Sequence, residues 1–437
     1  MHPWCVPHFA KRAAVTPLAS SNRHPAGLVS VPGDDLLDTV SLYLHIPFCT
    51  RKCPYCDFNT YAGLLHQRVP YVAALCDEIV LAGERARYAD GRRRRCRTIF
   101  LGGGTPSLLT ADQVGDLLAA ARVAFAVDAD GEVALEANPG ALERGHLEAM
   151  RAVGVNRLSM GAQSFDAELL RWLGRLHTPD EVESAFRAAR AAGFTDVNLD
   201  FMYAIPGQSP AIWEATLERA LALGPEHLSL YSLIVEEGTP LSRWVAEGRV
   251  RPAEDDLAAD MYEWAARRLA AAGYEQYEIS NWALPGHACR HNLTYWRNLP
   301  YIGLGAGAHG WYGGRRYVEA RPVRDYIARV RLATAALAGA AAPLPAGAVV
   351  EEEAITPALE MAETAMMGLR LREGVERAAF ARRFGCDFEA VFGARLGDVR
   401  LAGLVEEAGT WVRLTERGRL LGNEVFARLL PDGEGQD

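Results

Sequence analysis

Hydrophobic and polar positions follow two periods along the first 275 residues. Short apolar runs of strand length occur at 41–45, 97–101, 132–136, 157–160, 196–202 and 227–233. Between them, 69–85, 111–125, 141–152, 166–173, 179–192 and 211–222 place apolar residues at helical spacing. Strand and helix alternating six times predict parallel βα units, because a parallel pair needs a crossover to bring the chain back. The expected class is therefore α/β, a six-unit partial barrel of TIM type. In such folds ligands gather where the strands end. The sequence places polar or glycine-rich residues there. Cysteines at 49–56 follow the first strand, and Gly102, Gly103, Gly104 and Thr105 follow the second. Glu136 and Asn138 end the third strand, Gln163 the fourth with Arg175 further on, Asp200 the fifth and Tyr231 the sixth.

The pattern changes after a helix expected over 255–272. The stretch 281–317 is rich in Trp, Tyr, His and Gly, and 335–349 is a run of small residues and prolines. The stretch from 356 to about 430 reads as helices plus a hairpin at 404–414, turning at Ala408 and Gly409. A helix over 417–430 follows, with Thr415 as its N-cap. That combination predicts a C-terminal winged-helix-like module. The expected organisation is a disordered or irregular extension over 1–38, the barrel over 39–275, a signature region and linker over 276–345, and the C-terminal module over 346–437.

A chain of 437 residues exceeds one ordinary core, in keeping with a large domain and a smaller one. The net charge of −9 argues against a nucleic-acid partner, and so against a DNA-binding role for the winged module. Packing or partner docking is the expected role. No apolar run reaches the length of a membrane span, which leaves only peripheral contact open. Arg92, Arg93, Arg94 and Arg95 form a basic run that reads as a solvated loop. Trp213, Trp244 and Trp264 fall at helical spacing and read as packing residues.

Eight cysteines are present, and three of them cluster at Cys49, Cys53 and Cys56. The others are too scattered for a secreted disulfide framework, so a reducing, cytoplasmic compartment is expected. His2 and Cys5 offer metal ligands, but on an exposed tail. The spacing C-x3-C-x2-C puts three soft thiolates on one short loop, which suits an iron–sulfur cluster. Three thiolates on a [4Fe–4S] cube leave the fourth iron open to a chelating molecule. A structural zinc site takes four ligands, often as two pairs, and the second pair is missing. Cys76 and Cys96 belong to a helical and a strand pattern, where a buried thiol is ordinary.

At these residues the chain resembles the radical-SAM superfamily. The resemblance implies that S-adenosylmethionine chelates the open iron and that electron transfer from the cluster yields a 5′-deoxyadenosyl radical, with the electron coming from a low-potential donor. It also assigns roles. Tyr55 is expected against the adenine, and Gly102, Gly103 and Thr105 near the methionine amino group. Tyr43, Glu136, Gln163, Arg175 and Asp200 are expected at other parts of the same cofactor. A phosphate-binding reading of the glycine loop fails, because no Lys followed by Ser or Thr comes after it.

Longer strings narrow the likeness. HIPFCTRKCPYCDFNTY (45–61), LGGGTPSLL (101–109), GAQSFD (161–166), NLDFMYAIPGQ (198–208) and YSLIVEEGTPL (231–241) resemble the anaerobic coproporphyrinogen III dehydrogenase family and its haem-chaperone branch, the HemW type. Two features favour the chaperone branch. The dehydrogenases carry a further cysteine two positions after the third, where this chain has Phe58. The segment from His291 to Trp296, HNLTYW, matches the HNxxYW signature of the chaperones. Residues 1–38 show no match to the longer N-terminal region of the dehydrogenases. The resemblance implies binding of haem, its transfer to unidentified acceptor proteins, and doubtful coproporphyrinogen decarboxylation. His291, Tyr295, Trp296 and His309 are the haem candidates, with Cys289 behind them. The bland reading of His291 and Asn292 is that they hydrogen-bond a loop over the barrel mouth.

Overall fold

The structure, a computed structural model, describes residues 36–337 and 347–431. Nearly all of the expected N-terminal extension and most of the small-residue linker lie outside the described residues. The six expected strands form: β1 (Val40–Ile46), β2 (Arg95–Gly103), β3 (Ala126–Ala137), β4 (Arg157–Gln163), β5 (Val197–Tyr203) and β6 (His227–Ser232). They lie side by side in chain order and all run parallel. Every residue of β1 is buried, as a parallel strand covered on both faces requires.

Helices α1 (Arg68–Arg85), α2 (Ala111–Ala124), α3 (Arg144–Val153), α4 (Ala167–Trp172), α5 (Pro179–Ala191) and α6 (Pro210–Leu223) supply the crossovers, and α7 (Pro240–Ala246), α8 (Asp255–Ala271), α9 (Arg290–Trp296) and α10 (Val323–Leu337) follow β6. Local chemistry fixes several starts. Thr110 and Thr178 each make a reciprocal capping box, with Gln113 and Glu181, and Asp166 caps α4.

The aromatic stretch after residue 273 adds strands to both edges of the sheet. β7 (Glu275–Glu278) and β8 (Asn281–Ala283) extend it antiparallel beyond β6. β9 (Tyr301–Leu304) returns to the other edge and pairs parallel with β1. β10 (His309–Tyr312), β11 (Arg315–Glu319) and β12 (Val349–Ala354) continue outward antiparallel. The result is an open sheet of twelve strands among the described residues, with the six-unit barrel in its middle. These edge strands carry weak sequence signals because they are short and glycine-interrupted, and turn chemistry masks their period.

A second apolar cluster, built on Phe380, Phe388, Phe392, Val412, Leu414, Phe426 and Leu429, forms the C-terminal module. The expected hairpin is present as Val405–Ala408 paired with Trp411–Leu414. The single helix expected over 417–430 is instead two, Glu416–Leu420 and Gly422–Leu429. Thr415 does cap the first, accepting from the Gly418 N–H at 3.0 Å. The break falls at Leu421 and Gly422; glycine is a poor helix interior residue, and a Cβ on Gly422 would press on the Phe426 ring at 3.0 Å. The arginine run is paired rather than free, with Arg92 on Asp90, Arg94 on Asp38 and Arg95 on Asp128. No helix among the described residues is long and apolar enough to cross a membrane.

The seam between β1 and β9 is held from behind by a buried polar clasp. Glu78 on α1 accepts from the Gly305 N–H at 2.9 Å and from the Tyr326 hydroxyl at 2.7 Å. Tyr71 donates to the His45 carbonyl at 2.7 Å and accepts from the Ala306 N–H at 2.9 Å. Burial raises the pKa of Glu78 from 4.5 to about 7, and burial beside Glu78 raises Glu319 as well. The folded state thus binds the Glu78 proton more tightly than the unfolded chain does. Its stabilising contribution is complete below pH 4.5 and is lost as pH rises through about 7. Glu78→Gln should therefore flatten the dependence of Tm on pH across that interval, measured by thermal denaturation. An unchanged slope would remove Glu78 as a source of the dependence.

Candidate functional site

Between β1 and β2 the backbone itself builds the rim. The Gly104 N–H donates to the Ile46 carbonyl and the Thr105 N–H to the Phe48 carbonyl, each at 2.8 Å. A Cβ on Gly104 would lie 2.5 Å from the Phe48 oxygen. Gly103 has φ +110°, and a Cβ there would lie 2.4 Å from the His45 ring. The expectation that these glycines admit a ligand backbone-first is thus only part of the account: close approach of the chain to itself already requires them.

This seam carries the cysteine loop to the mouth of the sheet. Cys49, Cys53 and Cys56 all line one cavity, together with Tyr55, Phe58, Gly103, Thr105, Glu136, Gln163, Arg175 and Asp200. The Thr105 hydroxyl donates to the Cys49 sulfur at 3.6 Å and Arg175 donates to the Cys53 sulfur at 3.8 Å. Burial raises the pKa of the Cys49 thiol and pushes Cys56 up to about 12. The three side chains do not converge as the ligands of one metal ion, and no such group of three His, Cys, Asp or Glu occurs among the described residues. A cubane spreads its thiolates over three irons, so it does not need that convergence. Sulfur ligands with hydrogen-bond donors beside them fit the chemistry of such a cluster.

The polar residues expected at the strand ends surround this loop. The Gly103 N–H donates to Glu136 at 2.9 Å. Arg175 reaches the Gly161 carbonyl at 2.9 Å and also Asn138, while its Nε is buried without a partner. Gln163 stands at φ +65°, a left-handed conformation uncommon for a residue with a side chain, where the β4–β5 register shifts. Tyr43 and Gly102 are not in the lining. Tyr43 lies behind it, fully packed, with its hydroxyl 3.0 Å from His45 Nδ1 and its ring stacked on Phe100.

The cavity continues to α9 (Arg290–Trp296), and His291, Tyr295 and Trp296 line its far end. His309 is not in the lining; it sits on β10, where burial above all lowers its pKa to about 3. Both ring nitrogens of His291 are engaged, Nδ1 with the Thr98 hydroxyl at 2.7 Å and Nε2 with the Tyr295 hydroxyl at 2.9 Å. Its ring stacks on Phe100. Cys289 caps α9, accepting from the Asn292 N–H at 3.5 Å, and burial raises its thiol to about 12.

A polar floor joins the two ends. Asp200 accepts from Asn198 at 2.8 Å, Asn198 meets His227 Nδ1 at 2.7 Å, and His227 Nε2 meets the Tyr277 hydroxyl at 2.8 Å. Asn292 then donates to Tyr277 at 3.1 Å. Burial, with Glu136 nearby, raises Asp200 to about 6. Sequence reasoning missed Asn198, His227, Tyr277, Glu278 and Arg370 in this lining. Asn198 and His227 carried an available signal, since they lie at the start of β5 and β6, two residues before Asp200 and Ser229 on the same strand face. Arg370 carried none, because it comes from the C-terminal module. The cavity and its open mouth together have an empty volume of about 1770 Å³.

The rim predicts a specific sensitivity. Gly103→Ala should destabilise the fold by about 1–3 kcal/mol through its left-handed backbone and its contact with His45. Adding His45→Ala should restore part of the lost Tm by removing the clash but not the backbone strain. Thermal denaturation of the single and double variants checks both statements.

Comparison with known proteins agrees with this architecture. The radical SAM superfamily profile matches residues 43–220, and the HemN C-terminal domain profile matches 355–421. The heme chaperone HemW of Bacillus subtilis is 38% identical over 391 residues, covering 89% of this chain and 99% of the relative. HemW of Escherichia coli is 36% identical over 405 residues, covering 91% and 99%. The structure of coproporphyrinogen III oxidase (HemN) from Escherichia coli superposes with a TM-score of 0.75 over 90% of each chain, at 24% identity, which establishes the shared fold. With relatives more than 30% identical and covered almost end to end, the chain belongs to the HemW family of the radical SAM superfamily.

Proposed function

We propose that the chain binds haem and delivers it to acceptor proteins, carrying a [4Fe–4S] cluster on Cys49, Cys53 and Cys56 with an exchangeable S-adenosylmethionine beside it. The observation that supports this most strongly is the single cavity lined at one end by the cysteine loop and at the other by α9. When bound, the cluster and S-adenosylmethionine supply one-electron chemistry. This chain's residues hold and orient them. Thr105 and Arg175 steady the sulfurs of Cys49 and Cys53. Glu136, Gln163, Asp200 and Arg175 offer polar contacts suited to an amino acid and a ribose. Tyr55 offers an aromatic face, and Gly102 and Tyr43 support Gly103 from behind.

At the other end the rings of Tyr295 and Trp296, otherwise buried, reach the lining with their edges and offer a narrow apolar contact to the rim of a porphyrin. We read His291 as a positioning residue that holds α9 against β2, since iron ligation would require it to give up a hydrogen bond. His309, outside the lining, has no part in this reading. Phe58 in the lining, where the decarboxylating enzymes have a cysteine, argues against that activity here. A low-potential electron donor and a cytoplasmic setting follow from the same reading.

Anaerobic preparation and reconstitution test it. The wild-type protein should hold iron and sulfide and bind added haem. It should not convert coproporphyrinogen III to protoporphyrinogen. The variant with Cys49→Ser, Cys53→Ser and Cys56→Ser should lose the iron and its brown colour. Turnover of coproporphyrinogen III would reject the chaperone reading, and zinc or undiminished iron in the triple variant would reject the cluster assignment.

A further inference from the structure

The cavity is lined by several cations, and among the described residues all but one of those that reach inward have protein acceptors. Arg157 donates to Asp196 at 2.9 Å and to the His287 carbonyl at 3.1 Å. Arg175 is held by Asn138 and Gly161, and Lys52 donates to the Phe58 carbonyl at 3.0 Å. Arg51 stands exposed on the cysteine loop, where water screens it. Arg370 differs from all of these. Its guanidinium lines the far end of the cavity, yet makes no hydrogen bond or ion pair among the described residues, and its Nε is buried.

The position of Arg370 is nonetheless well defined. It follows α11 (Pro357–Gly368) in the C-terminal module. The neighbouring backbone is pinned to the barrel, with Leu371 bridged to Glu278 and the Arg372 N–H donating to the Tyr277 carbonyl at 3.0 Å. Its guanidinium carbon lies 4.6 Å from the Trp296 ring centre and 5.8 Å from that of Phe426. Stacking of this kind holds the planar fork in place and leaves its edge N–H groups free. The Trp296 indole N–H beside it is likewise buried without a partner. Glu278 stands at the same end, with one carboxylate oxygen buried without a partner, and feels the Arg370 charge, but no ion pair within 4.0 Å joins the two among the described residues; burial raises its pKa and Arg370 works against that rise. A guanidinium in a cavity wall with no hydrogen-bonded acceptor among the described residues is a site for an anion, and its fork matches a carboxylate best.

Resting on the haem reading above, we propose that Arg370 binds a propionate of the macrocycle, so that the C-terminal module reads the acid groups of the cavity's ligand. A porphyrin whose acid edge reaches the rim formed by Tyr295 and Trp296 would present its carboxylates at this end, and Arg370 would make the charge-assisted contact that separates a diacid from its neutral ester.

Haem and haem dimethyl ester, titrated anaerobically into the cluster-loaded protein, test the proposal. Wild type should bind the diacid about ten- to a hundredfold more tightly than the diester. Arg370→Met, which keeps an apolar stem against Trp296, should lose that preference while its affinity for the diester stays unchanged. Arg370→Lys should keep part of the preference. Equal affinity of wild type for the two ligands, or an undiminished preference in Arg370→Met, overturns the subsite and leaves the haem reading standing. Failure of wild type to bind either ligand overturns the haem reading itself, and the subsite with it. Should Arg370→Met lose diester binding through misfolding, the wild-type comparison and Arg370→Lys still decide.

Discussion

The mouth of this protein depends on two backbone hydrogen bonds, from Gly104 to Ile46 and from Thr105 to Phe48. They join the loop after β2 to the chain leaving β1 at a distance no side chain could share. Once they form, Thr105 stands beside Cys49 and Gly103 faces Glu136. The strength of these bonds lies in the cost of leaving either partner unmade in a dry interior. The glycine run is therefore structural first, and its service to a ligand is a consequence of that geometry.

Much of this was legible in the sequence, for physical reasons. The six barrel strands are continuous apolar runs, because both their faces are covered, and the helices between them have clean periodicity and explicit caps. The cysteine loop and the polar strand ends announced themselves by spacing. The edge strands did not. Residues 301–319 are rich in glycine because backbones approach closely there: a Cβ on Gly303 would meet the His309 carbonyl at 1.8 Å, and one on Gly310 the Tyr317 ring at 2.1 Å. Glycines read from sequence alone suggest a loop, and only tertiary packing turns them into strands. Tyr43 and His309 show a related limit. Each sits in a suggestive string, but whether a side chain faces a cavity or lies behind its wall is decided by strand alternation and by what packs against it.

The polar floor gives the two ends of the cavity a shared framework. Asp200, Asn198, His227, Tyr277 and Asn292 are linked in sequence by hydrogen bonds within a poorly solvated interior. A displacement at one member leaves its neighbour unsatisfied, which is costly where water cannot substitute. The C-terminal module is tied to the same framework through the backbone of Tyr277 and Glu278. The far wall of the cavity is therefore assembled from three separate parts of the chain: α9, the β7 segment and the end of α11.

The pairing of β1 with β9 has a consequence for biosynthesis. Ser41 lies opposite Tyr301, so one side of the central strand has no partner until more than half the polypeptide has been made. At ordinary elongation rates that interval is on the order of tens of seconds. During it, a strand that is wholly buried in the finished fold displays unsatisfied backbone groups along one edge, a template for pairing with other nascent chains. Ribosomal stalling or premature termination before residue 301 would thus release an aggregation-prone fragment, not a smaller working domain. Productive maturation of this chain calls for protection of that edge until the far segment arrives.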